Sequence, residues 1–482
     1  MPQLECDAAD SLGLTLYELM QRAGQASYER IRQQWPQAQH WLILCGHGNN
    51  GGDGYVVARL AQAAGLSVTL LACDSERPLP EEAQQARDGW LAAGGVIHAA
   101  DAAWPENIDV IVDALLGTGL NRAPAAPYQS LIEQINAHTA PVFAVDIPSG
   151  LVAATGTTPG AAVVADCTLS MIALKPGQLT GKARDHVGVL HCATLGLDTF
   201  LAGEPAPIHR YAAADLPRWL KPRKATSHKG DHGRLLVVGG DSGTAGAIRM
   251  TGEAALRSGA GLVRVLTHED NIGPILGARP ELMVDALSDA RLDDALAWAD
   301  VIAIGPGLGQ REWAQKALKK VALSEKPMLW DADALNLLAI NADNRQNRII
   351  TPHPGEAARL LGVKTAEVES DRLHAAQTLV KRYGGVVVLK GAGTVIASAA
   401  GQMAIADVGN AGMASGGMGD VLSGIIAALL GQQATLFDAA CAGCVAHGAA
   451  ADAVARQRGT RGMLATDLFA LLWQFVNPEM IQ

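Results

Sequence analysis

The stretch Gly46-His47-Gly48-Asn49-Asn50-Gly51-Gly52-Asp53-Gly54 consists largely of glycine and asparagine, and a second glycine-rich stretch, Gly416-Gly417-Met418-Gly419-Asp420, follows in the other half of the chain. Residues with a helical pattern come after each stretch, so bare backbone N–H groups would lie at a helix N-terminus, where anions bind. Each stretch also contains an aspartate. Because a carboxylate is unfavourable beside a phosphate, its presence indicates chemistry, sugar contacts or a cation. The two stretches predict two nucleotide-handling domains.

Length and composition limit the class of protein. A chain of 482 residues is too long for one ordinary core, and 49% hydrophobic with 18% charged residues is typical of a globular protein. The net charge of −10 argues against a general nucleic-acid binder. Seven irregularly spaced cysteines predict no disulfide framework. Neither a signal peptide nor an apolar run of about 20 residues is evident, so we expect a cytoplasmic protein without a membrane partner.

Short apolar runs alternate with helical patterns in both halves of the chain, beginning with Trp41–Cys45 in the first half and Arg234–Gly240 in the second. The helical patterns include Gly54–Ala64 in the first half and Ala465–Phe475 in the second. This rhythm predicts an α/β fold with a mostly parallel sheet covered on both faces, once in each half. Residues 198–226 interrupt it with proline-rich and charged turns. We therefore expect two domains, residues 1–205 and residues 206–482.

Three loops of the first half would leave the carboxyl ends of neighbouring strands, where ligands bind in open α/β sheets. In these loops Asn50, Asp113 and Ser149 offer oxygen ligands for a cation, and Asp146 is a candidate general acid or base. A single strand-end aspartate is equally compatible with a helix cap or a turn. No acidic residue ends the second strand, which argues against the dinucleotide fingerprint of hydride-transfer dehydrogenases.

The combination of Leu19-Met20-Gln21-Arg22-Ala23-Gly24 with GHGNNGGDG, VDALLGTGL and VDIPSG resembles the NAD(P)HX epimerase domain over roughly residues 10–200. The resemblance implies a Rossmann-like fold and potassium-dependent epimerisation at C6 of hydrated NADH or NADPH. It implies that Asp146 contacts the reacting ring and that Asn50, Asp113 and Ser149 hold K⁺. The implied hydrate contacts are Asn49, Asn50, Gly51, Gly52, Asp53, Gly117, Thr118, Gly119, Leu120, Asn121, Arg122, Ala123, Tyr128 and Asp146.

The second half carries a run of small residues, Asn410 to Gly424, that opens an apolar helix. Its N–H groups could stabilise a transferring phosphoryl group, and Asp420 could accept a hydroxyl proton. The alternative is a glycine face for helix packing, which suits Gly424 and Gly431 better than the denser GGMGD. The chain contains no Walker A sequence, so the P-loop class is excluded.

Together with HKGDHG at 228–233, GPGLG at 305–309, TPHPGE at 351–356 and KGAGT at 390–394, this run resembles the ADP-dependent NAD(P)HX dehydratase of the ribokinase-like superfamily, over about residues 225–478. The resemblance implies ADP as co-substrate, Mg²⁺ on the diphosphate oxygens and Asp420 as the base. The implied nucleotide contacts are Lys390, Gly391, Ala392, Gly393, Thr394 and Gly419. The implied hydrate contacts are Ala247, Gly307, Leu308, Gly309, His353 and Asp420. The alternative for His353 is a helix cap before Glu356.

These patterns favour a bifunctional metabolite-repair enzyme that epimerises the R and S hydrates and then dehydrates the S epimer. Its expected partners are the small molecules NADHX, NADPHX and ADP, and neither nucleic acid nor a membrane. We also expect the chain to form a homo-oligomer. The alternative is a ribokinase-type small-molecule kinase with an N-terminal nucleotide-sensing domain. A non-catalytic NAD(P)-binding scaffold is a third interpretation, against which Asp146 and Asp420 both speak.

Overall fold

The computed structural model describes residues 2–75 and 77–478, which group into two compact units, Met1–Ala206 and Pro207–Gln482. The division falls one residue from the boundary expected between residues 205 and 206. Each unit has its own sheet and its own hydrophobic clusters. No helix in the described residues is long and apolar enough to cross a membrane.

The N-terminal unit is built on a parallel seven-stranded sheet of order β3-β2-β1-β4-β5-β6-β7. Its elements are α1 (Pro2–Leu12), α2 (Leu16–Gln34), β1 (His40–Cys45), α3 (Asn49–Ala63), β2 (Ser67–Ala72), α4 (Glu81–Ala92), β3 (His98–Ala99), β4 (Val110–Ala114), α5 (Tyr128–Ala137), β5 (Val142–Val145), β6 (Cys167–Met171), β7 (Val189–Ala193) and α6 (Asp198–Gly203).

Strand β1 shows how this sheet is covered on both faces. Trp41 and Ile43 pack in the cluster formed with α2 and α3, whereas Leu42 and Leu44 pack in the cluster formed with α5. Successive side chains of a strand point to opposite faces, so an almost continuous apolar run is what a doubly covered strand requires. The predicted parallel α/β architecture is confirmed for this half.

The C-terminal unit has a ten-stranded sheet of order β11-β10-β9-β12-β13-β14-β15-β16-β17-β8, parallel except where β16 pairs with β15 and β17. Its strands are β8 (His209–Tyr211), β9 (Arg234–Val238), β10 (Leu262–Thr267), β11 (Met283–Ala286), β12 (Val301–Ile304), β13 (Met328–Trp330), β14 (Arg348–Ile350), β15 (Val386–Leu389), β16 (Thr394–Ser398) and β17 (Met403–Ala406).

Eleven helices accompany this sheet in the described residues. They are α7 (Ala245–Arg257), α8 (Ile272–Ala278), α9 (Asp289–Trp298), α10 (Glu312–Val321), α11 (Asp333–Ile340), α12 (Pro354–Leu361), α13 (Thr365–Ser370), α14 (Arg372–Tyr383), α15 (Met418–Gly431), α16 (Leu436–Arg458) and α17 (Leu472–Val476). Helix α15 is apolar along nearly its whole length and packs between α7 and α16 in the main cluster. A helix that is hydrophobic all round belongs inside a core, so the GGMGD stretch leads directly into the centre of the unit.

Three local expectations differ from the structure. The helix expected from Gly54 begins at Asn49, so half of the first glycine-rich stretch is helical rather than a loop. The interrupted region contains β8, which pairs with β17 and joins the C-terminal sheet. The helix expected over residues 465–475 is a 3₁₀ turn, Ala465–Ala470, followed by the short α17.

Candidate active sites

The first candidate site lies at the carboxyl ends of β1, β4 and β5. The strand order runs outward from β1 in two directions, to β2 and β3 on one side and to β4 and the later strands on the other. Such a switch point in a parallel sheet opens a crevice in which ligands bind. The backbones approach closely: a Cβ on Gly46 would lie 1.7 Å from the carbonyl oxygen of Leu115. The three loops singled out in the sequence therefore meet at one edge of the sheet.

A cavity of about 1010 Å³ opens at this edge. Two of the predicted contact residues, Gly51 and Gly52, are buried inside α3 instead of lining it, since added Cβ atoms would meet the Gly46 carbonyl oxygen at 2.1 Å and the Met20 side chain at 2.6 Å. Ala123 also lies outside the lining. The predicted contacts that line the cavity are Asn49, Asn50, Asp53, Gly117, Thr118, Gly119, Leu120, Asn121, Arg122, Tyr128 and Asp146.

Asp146 follows β5 in a left-handed backbone conformation, with φ of +64°. Its Oδ1 atom accepts hydrogen bonds from the backbone N–H of Met171, at 2.8 Å, and from the ammonium of Lys175. Its backbone carbonyl accepts a third from Gln178 Nε2, at 2.7 Å. A non-glycine residue in this conformation persists only where its surroundings hold it, and these bonds fix the carboxylate at the cavity wall.

Asp113 and Ser149 form a buried pair behind the cavity. Ser149 Oγ donates to Asp113 Oδ1 at 2.5 Å, the Ser149 N–H donates to Oδ2 at 2.8 Å, and the Leu116 N–H donates to Ser149 Oγ at 2.8 Å. Burial raises the pKa of Asp113 to about 6, although the hydrogen bonds from Ser149 oppose the shift. In the part of the chain that the structure describes, no basic side chain forms a salt bridge with Asp113. Asn50, the third predicted ligand, lies against Gly117 on the cavity side.

Asp420 lies in the first turn of α15 and marks the second candidate site. Gly417 caps this helix with φ of +91°, and an added Cβ there would meet the Met250 side chain at 2.6 Å, so glycine is required for both conformation and space. Burial, with a contribution from Asp331, raises the pKa of Asp420 to about 7, while Lys390 lowers it. A carboxyl group that titrates near neutrality is suited to general base catalysis.

Carboxylates surround the ammonium of Lys390 next to Asp420. Lys390 Nζ lies 2.8 Å from Asp331 Oδ1 and 3.8 Å from Glu356 Oε2, and Ser423 Oγ donates to Asp331 Oδ2 at 2.8 Å. A Cβ on Gly419 would lie 3.3 Å from Lys390 Nζ. With Asp420 included, the group holds more carboxylates than ammonium groups, and this excess of negative charge fits a cation that arrives with a nucleotide.

The predicted nucleotide loop, Lys390–Thr394, connects β15 to β16 and rests on a buried arginine. Arg372 donates to the carbonyl oxygens of Leu389, at 3.2 Å, and Lys390, at 3.0 Å. Gly391 has φ of +141°, and a Cβ there would lie 2.7 Å from the guanidinium. The conformation of the loop therefore depends on the absence of a side chain at Gly391 and on the hydrogen bonds that Arg372 donates.

The remaining predicted hydrate contacts come from three elements. Gly307, Leu308 and Gly309 follow β12, where a Cβ on Gly307 would lie 2.8 Å from Thr244 Oγ1. Ala247 lies in the first turn of α7, against which α15 packs. His353 caps α12: its Nδ1 accepts from the Gly355 N–H at 3.0 Å. His353 is therefore a helix cap in this structure, and its contact with a hydrate stays a prediction.

Sequence reasoning missed several residues that the structure brings to these sites. Asp331 follows β13 directly, as Asp146 follows β5, so the same strand-end signal was available for it. Lys175 lies 29 residues from Asp146 along the chain and carries no local signal. Gln178, Glu356, Arg372 and Ser423 were also missed as members of a site.

Two family models match the chain. The YjeF-related protein N-terminus matches residues 16–177, and NAD(P)H-hydrate dehydratase matches residues 235–473. The chain is 67% identical to the bifunctional NAD(P)H-hydrate repair enzyme Nnr of Escherichia coli, covering 99% of this chain and 92% of that protein. It is 45% identical to the corresponding Vibrio cholerae protein, covering 99% and 97%.

Solved structures resemble the C-terminal unit. A ribokinase-like superfamily protein of Enterococcus faecalis is 31% identical, with a TM-score of 0.53, over 57% of this chain and 97% of that chain. A Bacillus subtilis ADP/ATP-dependent NAD(P)H-hydrate dehydratase, co-crystallised with ATP and Mg²⁺, is 30% identical, with a TM-score of 0.50, over 56% and 97%. With both family models in order and near-complete coverage of its relatives, the chain belongs to the family of bifunctional NAD(P)H-hydrate repair enzymes.

Proposed function

We propose that this enzyme restores hydrated NADH and NADPH. The N-terminal unit interconverts the R and S epimers, and the C-terminal unit dehydrates the S epimer at the expense of ADP, giving AMP and phosphate. The observation that carries the proposal is the position of Asp420, in the first turn of a buried helix beside Lys390 and with a pKa near 7. The names of the relatives support it for both halves.

The chemistry of the hydrate explains why epimerisation requires few catalytic groups. C6 bears a hydroxyl next to a ring nitrogen, whose lone pair can expel that hydroxyl and leave a cation on the ring. Water then adds to either face. Asp146 lies at the cavity wall, where it can stabilise the ring cation and exchange a proton with the departing or returning water. The Asn49–Asp53 and Gly117–Arg122 segments would hold the rest of the dinucleotide.

The residues behind the cavity fit a monovalent cation. Asp113 is a fully buried carboxylate without a basic partner in the described residues, and such a charge is costly unless a cation compensates it. Ser149 Oγ and the Leu116 carbonyl add neutral oxygens beside it, 3.3 Å from each other. Asp113, Ser149 and Asn50 would hold K⁺, which would supply positive charge beneath the loops that bind the hydrate.

The C-terminal unit would make the hydroxyl a better leaving group. Asp420 takes the proton of the C6 hydroxyl, whose oxygen attacks the β-phosphorus of ADP and releases AMP. The N–H groups at the start of α15 and the Lys390 ammonium stabilise the phosphoryl charge. The ring nitrogen then expels phosphate and C5 loses a proton, which gives NAD(P)H. Mg²⁺ bound to the diphosphate, with Asp331 and Glu356 nearby, would neutralise further charge.

One assay tests the proposal. A mixture of R and S hydrates is incubated with ADP, Mg²⁺ and K⁺, and the absorbance of the reduced nicotinamide band is followed. We expect full recovery with both units active and no recovery without a nucleotide. Phosphorylated product without recovery of absorbance would instead indicate a small-molecule kinase. The homo-oligomer and the cytoplasmic location inferred from the sequence stay predictions.

A further inference from the structure

We propose that a further cavity of the C-terminal unit binds a phosphorylated small molecule, at a site separate from the one that contains Asp420. The cavity has a volume of about 1020 Å³, and its lining comes from residues 219–232 and from the ends of α7, α15 and α17. Neither the sequence patterns nor the names of the relatives assign a ligand to it. The residues that form it take no part in the proposed epimerisation or dehydration.

The cavity lies at the far ends of two helices that begin at the active site. Helix α15 has Asp420 in its first turn and Leu429 in the cavity lining, about 14 Å apart along the helix at a rise of about 1.5 Å per residue. Helix α7 has Ala247 in its first turn, and Ser258, which lines the cavity, follows its last residue. A small anion in this cavity would therefore not contact the groups that react with the hydrate.

The lining carries an excess of positive charge, although the net charge of the chain is −10. It contains one acid, Asp231, whose carboxylate already accepts a hydrogen bond from the His228 N–H at 3.0 Å. Its cationic side chains are Lys221, Arg223, Lys224 and Arg257. In the part of the chain that the structure describes, only Arg257 of these four forms a salt bridge, with Glu253 at 2.9 Å. Cations that lack acidic partners attract anions into a cleft.

The guanidinium of Arg223 is fixed in place by one of its nitrogens. Its Nη2 donates to the Gly259 carbonyl oxygen at 2.6 Å and to Gln432 Oε1 at 2.8 Å, whereas Nε and Nη1 have no acceptor among the described residues. Burial lowers the pKa of Arg223, and no carboxylate compensates its charge. A guanidinium that is held in one position with donors to spare is prepared for bidentate binding of a phosphate.

A buried hydroxyl in the same cavity is a second, independent observation. Ser258 is 2% exposed and lines the cavity, and its Oγ has no hydrogen-bond partner in the described residues. Buried hydroxyl groups are nearly always hydrogen-bonded, because an unpaired one loses its bonds to water without replacement. A phosphate oxygen in the cavity would accept the hydrogen bond that Ser258 Oγ lacks.

Basic residues also stabilise helix C-termini without any ligand, because the last carbonyl groups carry partial negative charge. The hydrogen bond from Arg223 to the Gly259 carbonyl, just after α7, is of this kind. It does not account for Lys224, whose ammonium has no acceptor among the described residues, or for the unpaired hydroxyl of Ser258. Lys224 and Ser258 therefore distinguish a binding site from a helix cap.

Nucleotides and sugar phosphates share the phosphate chemistry that this cavity would recognise. A nucleotide would add a base, and the indole of Trp219 in the lining offers a surface on which a base can stack. The indole is oriented by a hydrogen bond from its Nε1 to Asp438 Oδ1, at 3.0 Å. Comparison of AMP with ribose 5-phosphate therefore separates the two kinds of ligand.

The test is lysine acetylation of the full-length enzyme by N-hydroxysuccinimide acetate, read for each lysine by mass spectrometry, with inorganic pyrophosphate as the probe. We expect pyrophosphate to slow the modification of Lys221 and Lys224. Lys319 is exposed on α10, which contributes no residue to the cavity, and should react at an unchanged rate. Protection at lower concentrations of AMP than of ribose 5-phosphate, abolished by Trp219→Leu, would identify a nucleotide, and equal protection would identify the phosphate alone.

Variants show whether the protection comes from this cavity. Arg223→Met should raise the pyrophosphate concentration for half protection at least about tenfold, because charge-assisted hydrogen bonds are lost. Ser258→Ala changes no charge and should raise it about two- to tenfold. Lys319→Met removes one positive charge elsewhere and should leave it unchanged, and the melting temperature of each variant confirms that it is folded. Unprotected Lys221 and Lys224, equal protection of Lys319, or protection that survives both Arg223→Met and Ser258→Ala would overturn the inference.

Discussion

Replacement of Asp420 by asparagine is the sharpest test of the C-terminal site. Asparagine has nearly the shape of aspartate but cannot accept the proton of the C6 hydroxyl. A general base contributes about 10²- to 10⁴-fold to a rate, or about 3–5 kcal/mol of activation free energy. We therefore expect Asp420→Asn to lower dehydration of the S hydrate by at least about 100-fold and to leave epimerisation, which depends on the other unit, unchanged.

The pH dependence of the wild-type enzyme provides a second measure of the same residue. Burial raises the pKa of Asp420 to about 7, and the base must be ionised to act. About a tenth of the enzyme is then competent at pH 6 and about nine-tenths at pH 8, so kcat/KM should rise about tenfold between these values and level off above them. The residual activity of Asp420→Asn should lack this rise.

The assay combines absorbance of the reduced nicotinamide with the amount of AMP released. The substitution removes a buried charge that is repelled by Asp331, so we expect thermal unfolding at an unchanged or higher temperature. Measuring that temperature separates a loss of activity from a loss of folded protein. Dehydration within about threefold of the wild-type rate would refute the assignment of Asp420 as the base.

Three further predictions concern the cation, the nucleotide loop and the two units. Epimerisation should slow when Li⁺ replaces K⁺, and the affinity for K⁺ should fall below pH 6, where Asp113 takes up a proton; full activity without a monovalent cation would contradict the site. Arg372→Met should raise KM for ADP with little change in kcat, because the side chain supports the loop without reaching the nucleotide; an unchanged KM would refute that role. Fragments 1–205 and 206–482 should each fold, the first interconverting the epimers without nucleotide and the second stalling at about half conversion of a mixed pool; insoluble fragments would show a shared core.

The sequence predicted the sheets because a strand covered on both faces needs a run of apolar residues, and such runs are visible without any tertiary contact. The glycine-rich stretches were visible from composition alone, and the structure supplies the reason for two of their glycines: Gly46 approaches the Leu115 carbonyl, and Gly417 has a positive φ and lies against Met250. The helical start at Asn49 was missed because the sequence of the first stretch is typical of a loop. Packing of Gly51 and Gly52 against neighbouring backbone and Met20 explains why those glycines stand inside a helix.

The site residues fall into two groups: those with a local signal in the sequence and those that only tertiary contacts identify. Asp146 and Asp420 carry their signal locally, because each lies at a strand end or a glycine-rich helix start. Asp331 carried the same strand-end signal, but only the position of Lys390 beside it shows that it belongs to the site. His353 was recognised in its segment, and the structure adds that its ring caps α12.

By itself, the sequence determined the two α/β units, the loops that open their sites and the two candidate acids, because periodicity, glycine content and strand-end position are local properties of the chain. Only the tertiary structure decided the electrostatics of those sites. The partners of each acid come from distant segments: Lys175 reaches Asp146 from beyond the next strand, and Lys390 reaches Asp420 from the loop after β15. Whether a carboxylate is ionised depends on burial and on neighbouring charges, and both are set by folding.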